Sequence, residues 1–405
     1  MPNTLDQSIL REYRRIRKIQ YSSYPDASTS DKRTYNKILK DSGIKVFLKT
    51  LLNIFNPDKT KKKYIVLGLR EESFLTSLPR KNTLLIARNF REAFFAITKG
   101  YSFRYLGLAE YYLIRAYFEN KPSLLQGLVK QLVLLVTSSK KSRFIFYFND
   151  FAPLEVIFRI ISNEGKRVFT VCVQHGVLLK SNQGFIQEGS LSDYFLANGH
   201  EQAEIAPKFL GEKVKIVNLG PAYELPLLKE KSSLEVILVS NGGGDVDLKR
   251  SQLTNLILNK LSKKLEENLI NYAIKLHPSD VILSYDAKEK IFLGTKNDVL
   301  SNNLKIFIGI ASSLLYEAHS IGHTSIEIKI RDESVRLNSQ QLNTFVPDYS
   351  FYDDQLNELC RKLRMNHFTE KKEVDKFYSL PLKERVTLVI SKIENTNYQL
   401  NTIKI

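Results

Sequence analysis

Short, nearly unbroken runs of β-branched and aromatic residues recur along this chain, and amphipathic stretches separate several of them. Tyr64–Leu67, Thr83–Ala87, Phe144–Phe148, Val168–Gln174, Tyr194–Ala197 and Val214–Asn218 are runs of this kind in the first half. Between them, Ala109–Phe118 and Leu154–Asn163 carry apolar residues at helical spacing. Mostly apolar strands alternating with helices predict a parallel sheet covered on both faces. The rhythm pauses at Gly220-Pro221 and through Ser232-Ser233, then restarts with Val236–Ser240. A helical stretch over Leu253–Asn268 follows, with strands expected at Ala273–Leu276, Ile291–Leu293, Ile306–Ile310 and Ser325–Ile330.

A chain of 405 residues exceeds one ordinary hydrophobic core. The expected division is a first domain over 1–220, a linker over 221–234, a second domain over 235–350 and a mainly helical tail over 351–405. The first domain opens with a polar helical segment that closes at Pro57-Asp58, and the tail is free to pack back on that domain. The fold class expected is α/β, with two doubly wound, Rossmann-like domains facing a central cleft.

The hydrophobic share of 43% suits folded globular domains rather than a disordered chain. The most apolar run, Leu124–Val136, is interrupted by Lys130 and too short to span a bilayer. The first twenty residues lack a signal-peptide core, so a cytoplasmic protein is expected, with peripheral attachment to the inner face of the membrane as an option. Cys172 and Cys360 fit a reducing compartment and argue against a disulfide framework or a cysteine-rich zinc site.

The formal net charge of +17 suits nucleic acid, an anionic membrane surface or a polyanionic substrate. Its basic residues cluster at Arg14, Arg15, Arg17 and Lys18, at Lys59 and Lys61 to Lys63, and at Lys140, Lys141 and Arg143. None of these clusters is interleaved with aromatics as a single-strand-binding surface is. A basic nucleic-acid-binding protein would explain the charge but leaves the strand-end histidines described next without a role.

Open α/β sheets bind ligands at the carboxyl ends of their strands. Four sequence groups fall at such ends. Val173-Gln174-His175-Gly176 closes an apolar strand, with Gly176 allowing a tight turn and His175 suited to take a proton from a hydroxyl. Ser240-Asn241-Gly242-Gly243-Gly244-Asp245 follows the first strand of the second half, and its glycines can offer backbone N–H groups to a phosphate. No Gly-Lys-Ser/Thr follows, so this is not a Walker loop.

Lys275-Leu276-His277-Pro278 ends another strand, where proline fixes the exit angle and the His277 ring can donate to a phosphate oxygen. Ser312 and Ser313, after Ile308–Ala311, stand at the start of a helix, and Glu317 lies further along it. Each group has a plainer reading: a histidine satisfying a carbonyl, a flexible glycine turn, an ordinary helix cap, a carboxylate on an exposed face. Glu317 can otherwise reach a ribose diol. Asp245-Val246-Asp247 is the nearest approach to a metal-binding carboxylate pair, and no metal is expected.

The order of these groups resembles bacterial GT-B transferases that build capsules, lipopolysaccharide and teichoic acid. In bacterial sialyltransferases and related capsule enzymes a His-Pro and a Ser-Ser motif bind the CMP part of the donor, and His277-Pro278 and Ser312-Ser313 match these. Those sialyltransferases carry an acidic motif for the base where this chain has Gln174-His175-Gly176. That His-Gly looks more like the glycerol-phosphate polymerases of teichoic acid synthesis, whose donor is CDP-linked.

The resemblance spans roughly residues 140–330 through short motifs. It implies a GT-B fold and an inverting, metal-independent glycosyltransferase with a CMP-linked donor, sialic acid-like or another nonulosonic or ulosonic acid. His175 would be the base, with Glu188 or Asp245 next in line. Gly242, Gly243, Gly244, His277, Pro278, Ser312, Ser313 and Glu317 would hold the donor. The partners implied are the nucleotide-activated donor, a glycan or lipid-linked glycan acceptor and an anionic membrane surface, with no nucleic acid and no cofactor. A CDP-alditol polyol-phosphate transferase is the alternative. A nucleotide-sugar epimerase would need a paired acidic and histidine motif that is not evident.

Overall fold

A computed structural model describes residues 4–23, 25–40, 62–137, 143–148, 153–164, 168–174, 192–210, 214–224, 235–240, 248–277, 280, 285–300, 303–310, 312–331, 347–368 and 380–402. The chain divides into two compact units. Among the described residues, the first takes those up to 174, 192–223 and 382–402, and the second those of 224–381. Residues 349–364, assigned from sequence in part to the tail, supply a strand and a helix of the second unit.

In the first unit, helices α1 (Leu5–Ser23) and α2 (Pro25–Lys40) precede β1 (Tyr64–Leu67). Then come α3 (Glu72–Ser77), β2 (Thr83–Ala87), α4 (Phe90–Lys99), β3 (Ser102–Tyr105), α5 (Gly107–Glu119), α6 (Gln126–Thr137) and β4 (Arg143–Tyr147). The unit continues with α7 (Pro153–Ser162), β5 (Val168–Val173), β6 (Tyr194–Ala197), α8 (His200–Leu210) and β7 (Lys215–Asn218). All neighbours pair in parallel, in the order β3-β2-β1-β4-β5-β6-β7. This is the doubly wound order, with its switch point between β1 and β4.

Both faces of the first sheet are buried, which is why its strands read as continuous apolar runs. Tyr64, Val66, Leu85, Phe144, Phe146 and Val171 face α3, α4 and the last helix of the chain, α13 (Leu382–Thr402). The alternate residues Ile65, Leu67, Leu84, Ile86 and Ile145 are buried on the other side, where α1, α5, α6 and α7 pack on one another. Asn89 caps α4 by accepting the Glu92 N–H at 3.0 Å, and Gly100 ends it in the left-handed region. Tyr35 of α2 stacks on Phe118 of α5 at 4.7 Å, so the N-terminal helices belong to this unit. Arg385 of α13 is fully buried and donates to the carbonyls of Leu219, Pro221 and Tyr223 at 2.9, 2.8 and 2.9 Å.

The second unit runs β8 (Glu235–Val239), α9 (Leu248–Glu267), β9 (Tyr272–Lys275), α10 (Lys296–Leu300), β10 (Lys305–Gly309), α11 (Ser313–Ser320), β11 (Thr324–Lys329), β12 (Tyr349–Tyr352) and α12 (Leu356–Arg364). Its sheet is parallel in the order β12-β11-β10-β8-β9. Ile257, Leu258 and Leu261 of α9 and Leu356, Leu359 and Leu363 of α12 cover Leu238, Ile274, Ile308 and Ile326 on one face, and α11 lies against the other. This is the second common doubly wound order, with the switch point between β8 and β10. The α/β class with two doubly wound parallel sheets is therefore the architecture of this chain.

Two strands depart from the sequence reading. β3 and β12 are edge strands of mixed burial, and neither forms a continuous apolar run. Ile291–Leu293 makes a single bridge, Ile291 to Ile274, and Leu293 is 86% exposed, so no strand forms there.

Of the basic clusters, several described members are engaged inside the first unit. Arg17 is buried, 3.1 Å from Asp31, and donates to Tyr13. Arg15 pairs with Glu12 at 2.8 Å, Arg14 bonds Asn120, Lys63 pairs with Glu394 at 2.7 Å, and buried Arg143 donates to the Leu135 and Val136 carbonyls. Arg17 and Arg143 are thus buried in this unit, whereas Arg14 and Lys18 are exposed. Lys59, Lys61, Lys140 and Lys141 lie outside the described residues.

Candidate functional site

The second sheet gathers the sequence groups at its carboxyl edge. β9 and β10 flank β8, so the chain leaves three adjacent strands at Ser240, His277 and Ser312. Two strand spacings, about 10 Å, separate the outer exits. Ser240 is buried at the end of β8. Its N–H donates to the Lys275 carbonyl at 3.1 Å, and its hydroxyl accepts the His277 N–H at 2.6 Å. His277 N–H also lies 3.3 Å from Asp280 Oδ2, and the Asp280 N–H returns to the His277 carbonyl at 2.9 Å. These bonds fix the His277 backbone while the residue itself is exposed. Tyr285, buried beside this turn, donates to Asn255 at 2.7 Å. Burial and the Asp280 charge both raise its phenol pKa.

On the other side of β8, Gly309 ends β10. A Cβ built there would lie 2.8 Å from the Val239 carbonyl oxygen, so the close approach of β10 to β8 at the switch point needs glycine. Ser312 then caps α11: its side chain accepts the Leu314 N–H at 3.4 Å, its carbonyl accepts the Leu315 N–H at 3.1 Å, and it is buried. Ser313, the first helical residue, is only partly buried. The helix presents its amino end at the same edge as Ser240 and His277. Such an end favours an anion, through unpaired N–H groups and the helix dipole.

Glu317 does not sit on an exposed face. It is buried and pairs with Lys296 of α10 at 3.0 Å, an arrangement that locks α10 to α11.

One acid at this edge escaped the sequence reading. Glu327 of β11 is level with Gly309 in the register, and burial pushes its carboxyl up to about 7. Nothing in the local sequence marks it, since its position follows only from strand register.

In the first unit, Gln174 directly precedes His175 and is held at both ends of its amide. Its Nε2 donates to Gln202 at 2.7 Å and its Oε1 accepts the Asn198 N–H at 2.8 Å. The chain therefore departs toward His175 from a fixed point. His175, Gly176, Glu188, Gly242, Gly243, Gly244, Asp245, Asp247 and Pro278 lie outside the described residues.

A second missed group lies at the carboxyl edge of the first sheet. Arg88, just after β2, pairs with Glu155 of α7, lies 3.8 Å from Glu110, and donates its N–H to Glu92 at 2.7 Å. Glu155 is fully buried, and burial pushes its carboxyl up to about 7 against the pull of Arg88. Gly68 has φ 74°, and a Cβ there would lie 2.7 Å from Arg88 Nε, so glycine makes room for this pair. With its carboxylate 1% exposed, the pair serves to bind α7 to the β1–β2 edge.

Among the described residues no group of three or more His, Cys, Asp or Glu side chains is placed to hold a metal ion. No described helix is long and apolar enough to cross a membrane.

No family model and no curated protein matches the chain. Among solved structures, one described as "Crystal structure of GtfA/B complex" is similar at 12% identity and a TM-score of 0.42, over 68% of this chain and 61% of that one. The likeness takes in less than two thirds of that structure's chain.

Proposed function

We propose that this chain is a GT-B type, nucleotide-sugar-dependent glycosyltransferase, inverting and metal-independent. Its donor is a CMP-linked acidic sugar, sialic acid-like or another nonulosonic or ulosonic acid. Its product is a bacterial capsule or lipopolysaccharide glycan, built on a glycan or lipid-linked acceptor. The observation that carries the reading is the convergence of Ser240, the His277 turn and the α11 amino end on three adjacent strand ends at a switch point.

In this reading the donor phosphate lies against the first turn of α11. The Ser313 hydroxyl, the His277 ring and the Gly242–Gly244 backbone donate to its oxygens. His175, which leaves from the anchored Gln174, takes the proton of the acceptor hydroxyl. The acceptor oxygen then bonds the anomeric carbon in line as that carbon's bond to the phosphate oxygen breaks. The strand-end donors take up the charge that builds on departing CMP.

A thermal-shift panel of CMP, CDP, UDP, GDP and their conjugates tests this. A ligand at 100 times its Kd adds about 2.7 kcal/mol of stability. Stabilisation by CMP and turnover of a CMP-sugar support the reading. A response confined to CDP-alditols favours the polyol-phosphate transferase. No response to any nucleotide, with salt-sensitive binding of DNA or RNA, returns the protein to the nucleic-acid class.

A further inference from the structure

Large apolar side chains left in solvent occur singly on their elements among the described residues, with one exception. On α4, Phe90, Phe94 and Ile97 are 52%, 68% and 58% exposed. Their i, i+4, i+7 spacing sets them on one face of the helix. A neighbouring face delivers Ala93 and Ala96 to the core, so the stripe is not a core face turned the wrong way. Phe90 stacks on Tyr105 of the edge strand β3 at 5.5 Å, which holds the start of the stripe in place.

The exposed charges around the stripe are mainly positive. Between residues 79 and 106 the chain carries Arg80, Lys81, Arg88, Arg91, Lys99 and Arg104 against one acid, Glu92. Glu92 is buried and accepts the Arg88 N–H, while Arg88 itself pairs with Glu155. In this segment the exposed charges are Arg80, Lys81, Arg91 and Lys99, and the neighbouring exposed acid is Glu72 of α3, which like Arg80 interacts with Tyr101, so the balance stays positive. The Lys99 ammonium stands 6.0 Å from the Phe95 ring centroid, its stem lying along the helix.

A second copy of the chain docked through this face would set basic residues against basic residues across a two-fold axis. An anionic lipid leaflet offers instead an apolar layer beneath a negative surface. That matches a short helix with aromatic and aliphatic residues on one side and Lys and Arg at its flanks.

We propose that α4 is a membrane-docking helix, with Phe90, Phe94 and Ile97 entering the acyl boundary of an anionic leaflet and Arg80, Lys81, Arg91 and Lys99 holding its headgroups. This holds whichever donor the site takes, and it is tested without nucleotide.

The chain contains no tryptophan, so Phe94→Trp supplies a single tryptophan that can be excited apart from the tyrosines. With equimolar phosphatidylglycerol and phosphatidylcholine vesicles its emission shifts to the blue and is quenched by brominated acyl chains. With phosphatidylcholine alone neither occurs, and the response on anionic vesicles declines as salt rises. Leu134→Trp, on α6 in the opposite helical layer, stays unquenched. Phe94→Ser with Ile97→Ser lowers anionic vesicle affinity at least about tenfold while thermal stability holds, because both side chains are exposed. Arg91→Glu with Lys99→Glu lowers it about tenfold as well and flattens the salt dependence. Unshifted Phe94→Trp emission, or full vesicle affinity in Phe94→Ser with Ile97→Ser, overturns the proposal. So does a concentration-dependent dimer that this double variant dissociates without any lipid binding.

Discussion

The hydroxyl of Ser240 accepts the backbone N–H of His277 at 2.6 Å, and so ties the exit of β8 to the exit of β9. The bond is buried on the serine side and holds His277, whose ring the proposed function sets against a donor phosphate. Replacing it by Ser240→Ala removes one acceptor, at about 1 kcal/mol of stability. The turn at His277 also loses its orientation, so nucleotide affinity falls several-fold more than stability alone explains. Kd for CMP and the melting temperature, measured together, separate the two effects. A lower Tm with unchanged Kd would make the tie purely structural.

Gly309 is the tightest point between β8 and β10. Gly309→Ala forces a methyl against the Val239 carbonyl, a backbone atom that cannot step aside. The expected cost is about 1–3 kcal/mol, seen as a lower thermal midpoint. Gly127→Ala, in the first turn of α6, adds a Cβ that meets nothing within 4 Å and should hold or raise the midpoint.

Arg385 holds the last helix on the first unit through three backbone carbonyls. Arg385→Met keeps the volume but leaves those acceptors buried without it, at about 3 kcal/mol. Limited proteolysis should then cut ahead of α13 much sooner than in the wild type. Equal resistance would show that apolar packing by Val386, Val389 and Ile390 suffices.

His323 gives the second unit a defined response to pH. It is fully buried, its Nδ1 accepts the Lys305 N–H at 3.2 Å, and its Nε2 therefore donates to the Leu300 carbonyl at 3.0 Å. Burial lowers its pKa from 6.5 to about 4. Between those values the unfolded chain binds a proton that the folded chain refuses, so stability is full above pH 6.5 and declines as pH falls. By pH 5 the loss from this group is about 2 kcal/mol. Thermal midpoints at pH 7 and pH 5 should converge in His323→Gln relative to wild type, and an identical pH dependence would contradict the assignment.

Much of this architecture is legible in the sequence because two-sided burial writes continuous apolar runs. Tyr64–Leu67, Phe144–Phe148 and Ile306–Ile310 announce central strands, each within a residue of where β1, β4 and β10 lie. β3 and β12 do not, since these edge strands are only partly buried and carry Ser102, Arg104 and Ser350 among their apolar residues. The strand-end positions of His277 and Ser312 follow from the same pattern. The burial of Glu317 does not, because Lys296, its partner, comes from a separate helix and the pairing is tertiary. Glu327 and the Arg88–Glu155 pair are hidden for the same reason: register and crossover bring them into place, not local spacing. The burial of Arg17 and Arg143 is not legible either, since these side chains are long enough to turn inward and satisfy acceptors in the core.

Calorimetric titration of CMP into the wild type and into a variant carrying His277→Ala and Ser313→Ala tests the donor site most directly. Ser313 is the better serine to remove, because Ser312 already caps α11 and its loss would confuse binding with stability. The wild type should bind CMP. The double variant, folded and with a comparable melting temperature, should bind more weakly by about 1.5–3 kcal/mol, which is roughly 10- to 150-fold in Kd. Equal CMP affinity in the two proteins, or no CMP binding by the wild type, would contradict the assignment of this strand-end cluster to a nucleotide phosphate.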